Sequence, residues 1–271
     1  MKKGLFSLIF LLAFIGHGLS QSIPSYWMNI YNLDDLYISR TDNVKQIIAN
    51  VTGYYSSGET YKEKWIYNFI APNKIAGQTY KEGQLTSSFE YVLNDSGIIV
   101  LKTTSFKQPL VGWQSMIIKY EYEAGNLKYE KHYSKEKELI DYVQFDYDSS
   151  NRPNKMSLFN ATGELRSYET AEYNENEGTY NYKVFDSSGS LITEEKEYFN
   201  LDKTSNQYNK QGDLAFLKWP TSNPNKDVFH RLEYKYDDMG NWIKRTWIIL
   251  VGKKANKRST ISRKIIYTKT N

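Results

Sequence analysis

The residues able to do acid–base chemistry come as adjacent carboxylate pairs, Asp34-Asp35, Glu194-Glu195 and Asp237-Asp238. A glycosidase needs two carboxyls roughly 5–10 Å apart across the scissile bond. Neighbouring residues of a strand point to opposite faces, so Glu194 and Glu195 on a strand do not form such a pair. Asp237 and Asp238 precede Met239-Gly240, where aspartate serves a turn. The spacing of these aspartates matches neither the EF-hand loop nor the calcium-binding nonapeptide repeat. Histidine is scarce. Of three, His17 lies in the first twenty residues, leaving His132 and His230. His132 alternates with Lys128 and Glu130 and is expected on an exposed face. His230 shares its face with Leu232 and Tyr234 and is expected to pack. The chain has no cysteine, so the usual zinc ligand set is missing. No G-x-S-x-G elbow, H-E-x-x-H helix or phosphate loop occurs. The residues therefore propose no catalytic side chain, no metal ligand and no cofactor. A hydrolase using scattered carboxylates stands as the alternative.

Aromatic residues offer a different chemistry. The chain holds 24 Tyr, 12 Phe and 6 Trp. Exposed Trp and Tyr stack on sugars or anchor a protein partner, so a carbohydrate or an envelope protein is the expected partner. Trp242 and Trp247 fall on opposite faces of a strand Trp242–Leu250, so one of them is expected to be exposed unless that strand is buried on both sides. Trp113 and Trp219 lie near loops. No residue is assigned to ligand binding from sequence.

The elements that must position these residues are strands. An aromatic residue, a short turn and a leucine recur in Phe159-Asn160-Ala161-Thr162-Gly163-Glu164-Leu165, Phe185-Asp186-Ser187-Ser188-Gly189-Ser190-Leu191 and Tyr208-Asn209-Lys210-Gln211-Gly212-Asp213-Leu214. Phe159 to Phe185 is 26 residues and Phe185 to Tyr208 is 23. Tyr147-Asp148, Tyr173-Asn174 and Phe199-Asn200 interleave, each 26 apart. Asn or Asp at the first corner bonds its own backbone, and Gly supplies a positive φ; Gly189 and Gly240 are expected there. The chain thus turns every half-period, and one unit is a hairpin.

Period-two alternation runs through the second half. Ile118, Tyr120 and Tyr122 oppose Lys119, Glu121 and Glu123. Leu127, Tyr129 and Tyr133 oppose Lys128, Glu130 and His132. Val143, Phe145 and Tyr147 oppose Gln144 and Asp146. Leu232, Tyr234 and Tyr236 oppose Glu233 and Lys235. In 165–173 and 191–199 charges fall on both faces, which reads as a thin, partly wet sheet and not as a membrane barrel with an apolar outer row. Earlier strands are expected at Val44–Tyr55, Tyr61–Ile70, Thr86–Asn94 and Ile98–Phe106, with one helical turn at Asn32–Tyr37. The expected fold is all-β, an antiparallel β-meander of repeated hairpins forming a curled, partly open sheet.

Residues 1–20 read as a secretory signal, with Lys2 and Lys3 before the apolar run Leu5–Ile15 and small Gly18 and Ser20 before Gln21. That run is shorter than a spanning helix needs, so no transmembrane segment is expected after cleavage. The mature part is 21–271, with the best seam at Gln108-Pro109-Leu110-Val111-Gly112. Cleavage removes two lysines, leaving 33 basic against 31 acidic residues, or +2. That balance argues against nucleic acid. Export without disulfides places the protein in the periplasm, at the cell surface or outside.

Tyr234-Lys235-Tyr236-Asp237-Asp238-Met239-Gly240-Asn241 resembles the tyrosine–aspartate (YD) repeat of the RHS family, whose core is Y-x-Y-D-x-x-G-x. Phe145-Asp146-Tyr147-Asp148-Ser149-Ser150-Asn151-Arg152 is a second copy, with Phe145 at the first tyrosine position and Asn151 at the glycine position. Glu121-Tyr122-Glu123-Ala124-Gly125-Asn126-Leu127 is a shortened third. The resemblance spans residues 86–268. It implies hairpins strung into a curling sheet. Large family members close a shell around a toxin segment, and some contact carbohydrate; at this length neither a closed shell nor a cargo segment after Thr268 is expected. The expectation is an exported, non-enzymatic recognition protein.

Overall fold

The computed structural model describes Ile23 and residues 43–198, 206–219 and 227–268, without the side chains of Glu197, Tyr198 and Trp219. The expected leader, the segments at 25–37 with Asp34-Asp35, and Phe199-Asn200 lie outside the described residues.

The strands are β1 (Val44–Tyr54), β2 (Thr60–Ala71), β3 (Lys74–Lys81), β4 (Gln84–Leu93), β5 (Ile99–Gln108), β6 (Gly112–Glu123), β7 (Asn126–Tyr133), β8 (Leu139–Tyr147) and β9 (Pro153–Asn160). They continue with β10 (Leu165–Asn174), β11 (Thr179–Asp186), β12 (Leu191–Tyr198), β13 (Gln207–Tyr208), β14 (Leu214–Trp219), β15 (Val228–Tyr236), β16 (Trp242–Val251) and β17 (Lys254–Tyr267). The protein is all-β, and its described residues form an antiparallel meander of seventeen strands. The sequence pattern marks neither β17 nor β3. β3 carries Ala76 and Gly77 at its centre, so it lacks the bulky alternation that marks its neighbours. Gly77 is required there: a Cβ would stand 2.2 Å from the Phe89 ring and 2.7 Å from the Ile66 carbonyl oxygen.

One turn design recurs. The side-chain oxygens of Asn94, Ser134, Asp148, Asn160, Asp186, Asn209 and Asp237 each accept the N–H groups two and four residues on, at 2.8–3.3 Å. The same residues donate their own N–H to the carbonyl four residues on, at 2.8–3.0 Å. The fourth position is left-handed in all seven turns, with φ between 64° and 86°. Glycine holds it in five, including Gly189 and Gly240 as expected. Lys137 and Asn151 hold it in the other two, and asparagine tolerates that region. The polar first corner therefore does for the turn what an N-cap does for a helix. Residues 109–111 are also a hairpin turn, since Gln108 pairs with Gly112 across β5 and β6.

The described residues group into two compact units. The first holds Ile23, 121–131 and 139–197. Its strands β8 to β11 pair in order, and registry brings Phe145, Met156, Glu169 and Val184 into one row. Phe145 is completely buried, and Val143 and Ala171 nearly so, which makes this the core face.

The second unit holds 43–120, 132–138 and 206–268. Here β1 pairs with both β2 and β17, so the first and last strands join two arms, β2–β6 and β13–β17. Ala49, Val51 and Ile261 form the core at this junction, with Trp65 and Trp242 packed on it.

Candidate binding face

Local sequence builds the face opposite the core of the first unit. In β8, Tyr142 stands directly across from Phe159 of β9, and the rings stack at 4.9 Å and 13°. In β10, Tyr168 stands across from Phe185 of β11, stacked at 4.7 Å and 13°. Tyr142 and Tyr168 are 26 residues apart, as are Phe159 and Phe185, so the hairpin period writes the pair twice. Each tyrosine hydroxyl reaches the turn that follows its stacking partner, 3.8 Å from where a Cβ on Gly163 or Gly189 would lie. Tyr129 adds an edge contact to Tyr142 at 6.2 Å.

All five rings are half-buried. Cross-strand contact holds them still while leaving part of each ring to solvent. A polar row lies on the same face, where Asp146, Lys155, Thr170 and Lys183 register side by side. Lys155 reaches over the Tyr168 ring at 5.0 Å. Lys128 bonds Asp146 at 3.0 Å, and Lys183 lies 3.6 Å from Glu194. The face therefore offers fixed aromatic surfaces beside charged donors and acceptors. It has no cleft.

The carboxylates follow the logic of strands and turns. Glu194 faces Lys183, whereas Glu195 accepts the Tyr182 hydroxyl at 2.7 Å. Those partners are adjacent on β11, so the two glutamates point to opposite faces. Asp237 caps its turn and accepts the Tyr267 hydroxyl at 2.6 Å. Among the described residues no three His, Asp or Glu side chains cluster as metal ligands.

Two acidic residues read as wet are buried. Glu130 is nearly inaccessible, because the charged side of β7 is covered as well as its Leu127 side. Glu169 is 5% exposed; its Oε1 accepts the Ile23 N–H at 2.8 Å. Burial pushes its carboxyl up to about 7, against the opposing pull of that hydrogen bond. Covering of β7 also leaves His132 half-buried instead of exposed.

His230 packs as expected, with its ring edge on Trp247 at 5.3 Å and burial pushing its imidazole down to about 4. The tryptophans do not behave as the alternation implies. A bulge lies in the β15–β16 ladder, so Tyr236 pairs with Trp242 while Lys235 pairs with Lys244. The extra residue moves Trp242 onto the face of Arg245 and Trp247. Both tryptophans are half-buried. The Arg263 guanidinium sits over Trp242, its carbon 3.2 Å from the ring centre, and donates twice to the Trp242 carbonyl. Trp65 is half-buried and donates to Glu63. Trp113 is about half exposed, at a hairpin end.

The stripe depends on strand register. Phe159 and Phe185 stand out as turn-flanking residues, but Tyr142 and Tyr168 join them only through strand register. Their matching 26-residue spacing was the available signal.

Fold and face together define a β-meander with a repeat-written aromatic surface. No protein-family model matches the chain, and no curated protein sequence does. Among solved structures it is similar to a porin-like protein from Bacteroides uniformis, at 9% identity and a TM-score of 0.38, over 82% of this chain and 98% of that one. A porin-like protein from Bacteroides vulgatus gives 9% identity and a TM-score of 0.34, over 82% and 98%. Likeness at this level assigns neither family nor function.

Proposed function

We propose that the mature chain is an exported, non-catalytic recognition protein of YD-repeat type that binds a glycan across the aromatic stripe of β8–β11. The observation that carries this reading is the doubled stack, Tyr142 on Phe159 and Tyr168 on Phe185. The second stack lies two strands over and two residues along from the first. Strand spacing and rise put them about 12 Å apart, the span of two to three linked sugar rings. The apolar face of a pyranose stacks on such rings, and the neighbouring Asp146, Lys155, Thr170 and Lys183 hydrogen-bond its hydroxyls. Export rests on Lys2–Ser20. The repeat assignment is supported by tyrosines that reach back 20 residues to a carbonyl: Tyr147 to Leu127, Tyr173 to Pro153 and Tyr234 to Leu214, at 2.7–3.0 Å. Tyr147 and Tyr173 occupy the tyrosine position beside Asp148 and Asn174.

Calorimetric titration with a panel of neutral oligosaccharides and envelope glycan fragments tests the proposal. Binding should be weakly salt-dependent and should fail in the Tyr142→Ala/Tyr168→Ala double variant. It should survive Glu194→Gln/Glu195→Gln. Binding that persists without both tyrosines would sink the stripe. Turnover of any glycan that disappears on replacing one carboxylate would favour a hydrolase.

A further inference from the structure

Strands β2–β5 of the second unit carry a polar surface that the aromatic stripe does not touch. Strand register sets two rows side by side there. One row runs Asn68, Ala76, Glu90 and Thr103; the next runs Ile66, Gln78, Ser88 and Ser105. The rows are two residues apart along each strand, so they share one face. The opposite face holds the rings: Tyr67 packs on Phe89 at 5.7 Å and Phe89 on Tyr91 at 4.8 Å, with Gly77 leaving room for Phe89. On the polar face, Ala76 and Ser88 put short side chains at the centre. They leave an open depression of about 350 Å³, walled by Asn68 on β2 and by Thr103 and Ser105 on β5. Three strand spacings by two residues make it about 14 Å by 7 Å, and its volume is that of a small-ligand site.

The chemistry of the depression is neutral. Among its described lining residues only Glu90 is charged, and Lys74 neutralises it at 2.9 Å. The two amides are oriented by their neighbours. Gln46 Nε2 donates to Asn68 Oδ1 at 2.6 Å, and the Tyr80 hydroxyl donates to Gln78 Oε1 at 2.9 Å. With those oxygens engaged, Asn68 and Gln78 offer their amide N–H groups as donors. Ser105 and Ser115 share one hydrogen bond at 2.7 Å, which uses one of their two hydroxyl protons. The Lys74 contact takes Glu90 Oε1 and leaves Oε2 as an acceptor.

We propose that this depression is a second binding site, for a single neutral sugar or cyclic polyol. Amide donors, hydroxyls and one carboxylate oxygen around a floor of small residues match a ring of hydroxyls, each of which both donates and accepts. Tyr80 stands two residues beyond Gln78 on the same face, where its half-buried ring meets the apolar side of a pyranose. An anion would face the Glu90 carboxylate, with Lys74 already committed to it. An apolar ligand would desolvate Asn68, Gln78 and Glu90 without replacing their hydrogen-bond partners. The site shares no residue with the stripe of β8–β11 and does not depend on it.

The test is calorimetric and saturation-transfer NMR titration with glucose, galactose, N-acetylglucosamine and myo-inositol. It uses the full chain carrying Tyr142→Ala/Tyr168→Ala, so the stripe contributes nothing. At least one of these probes should bind saturably. Ala76→Leu fills the depression and keeps its hydrogen-bonding groups; Asn68→Ala/Gln78→Ala keeps the space and removes the donors. Each should weaken binding about ten-fold or more. Glu90→Gln leaves the Lys74 charge uncompensated, so preference should move toward glucuronate over glucose by about three-fold or more. Circular dichroism verifies each fold. If Ala76→Leu does not fold, the amide variant decides; if the tyrosine background does not fold, the same substitutions are read in wild type. The proposal fails if no probe binds, if a folded depression variant binds as tightly as its background, or if Glu90→Gln leaves the preference unmoved. Oligosaccharide titration of the Ala76→Leu chain with both tyrosines intact reports the stripe alone, so the two sites succeed or fail separately.

Discussion

Replacing Glu169 by Gln should make the protein more stable at pH 8 and leave it unchanged near pH 4. Glu169 is buried, and its carboxyl titrates at about 7 against an ordinary value of 4.5. The folded state therefore binds more protons than the unfolded chain between those values, and stability falls as pH rises through that window. The favourable contribution of the protonated form is complete below 4.5 and lost above 7. At 1.36 kcal/mol per pH unit, the interval of 7 minus 4.5 corresponds to about 3 kcal/mol. Glutamine keeps Oε1 to accept the Ile23 N–H and carries no charge, so the substitution isolates ionisation from the hydrogen bond. Urea denaturation of wild type and Glu169→Gln at half-unit steps from pH 4 to 8.5 measures the difference directly. Other titrating groups contribute to both curves and cancel. The variant should match wild type at low pH and exceed it by about 3 kcal/mol at pH 8. Parallel curves across the range would refute the reasoning, because they would mean Glu169 titrates alike folded and unfolded. A variant weaker than wild type at every pH would show that the carboxylate is stabilised by partners beyond Ile23.

Alanine at Gly189 or Gly240 should each destabilise by about 1 kcal/mol, read as a lower urea midpoint. The φ values are 86° and 79° with no contact closer than 3.8 Å, so the cost is backbone strain alone. Asn160→Ala removes one oxygen that caps two N–H groups and should cost about 1 kcal/mol; Asn160→Asp should restore it. Gly77→Ala is predicted to be worse than either turn variant, by about 1–3 kcal/mol, because the new methyl meets the Phe89 ring and a backbone carbonyl. Equal midpoints for Gly77→Ala and wild type would contradict the packing of β3 against β4. Mass spectrometry of exported protein should find an N-terminus at or near Gln21, and an intact Met1 would exclude cleavage.

The hairpin grammar was legible in the sequence because it is local. Asn160, Asp186, Asn209 and Asp237 cap their turns with their own side chains, and Gly163, Gly189, Gly212 and Gly240 supply the left-handed corner. Neither needs a distant residue. Alternation likewise put Phe145 and Val143 in the core and His230 among Leu232 and Tyr234, since a strand's two faces follow from its backbone alone. Tertiary structure decided what depends on register. The β15–β16 bulge rotated Trp242 onto the face of Trp247, a one-residue slip that no composition reveals. Covering of both sides buried Glu130 and Glu169, whose charge reads as wet until a neighbour removes the water. The pairing of β1 with β17 joined residues more than 200 positions apart, beyond the reach of any periodic signal. Tyr142 met Phe159, and Tyr168 met Phe185, only when adjacent strands aligned. The sequence held the rings at equal intervals, and the hydrogen-bonded ladder turned those intervals into a surface.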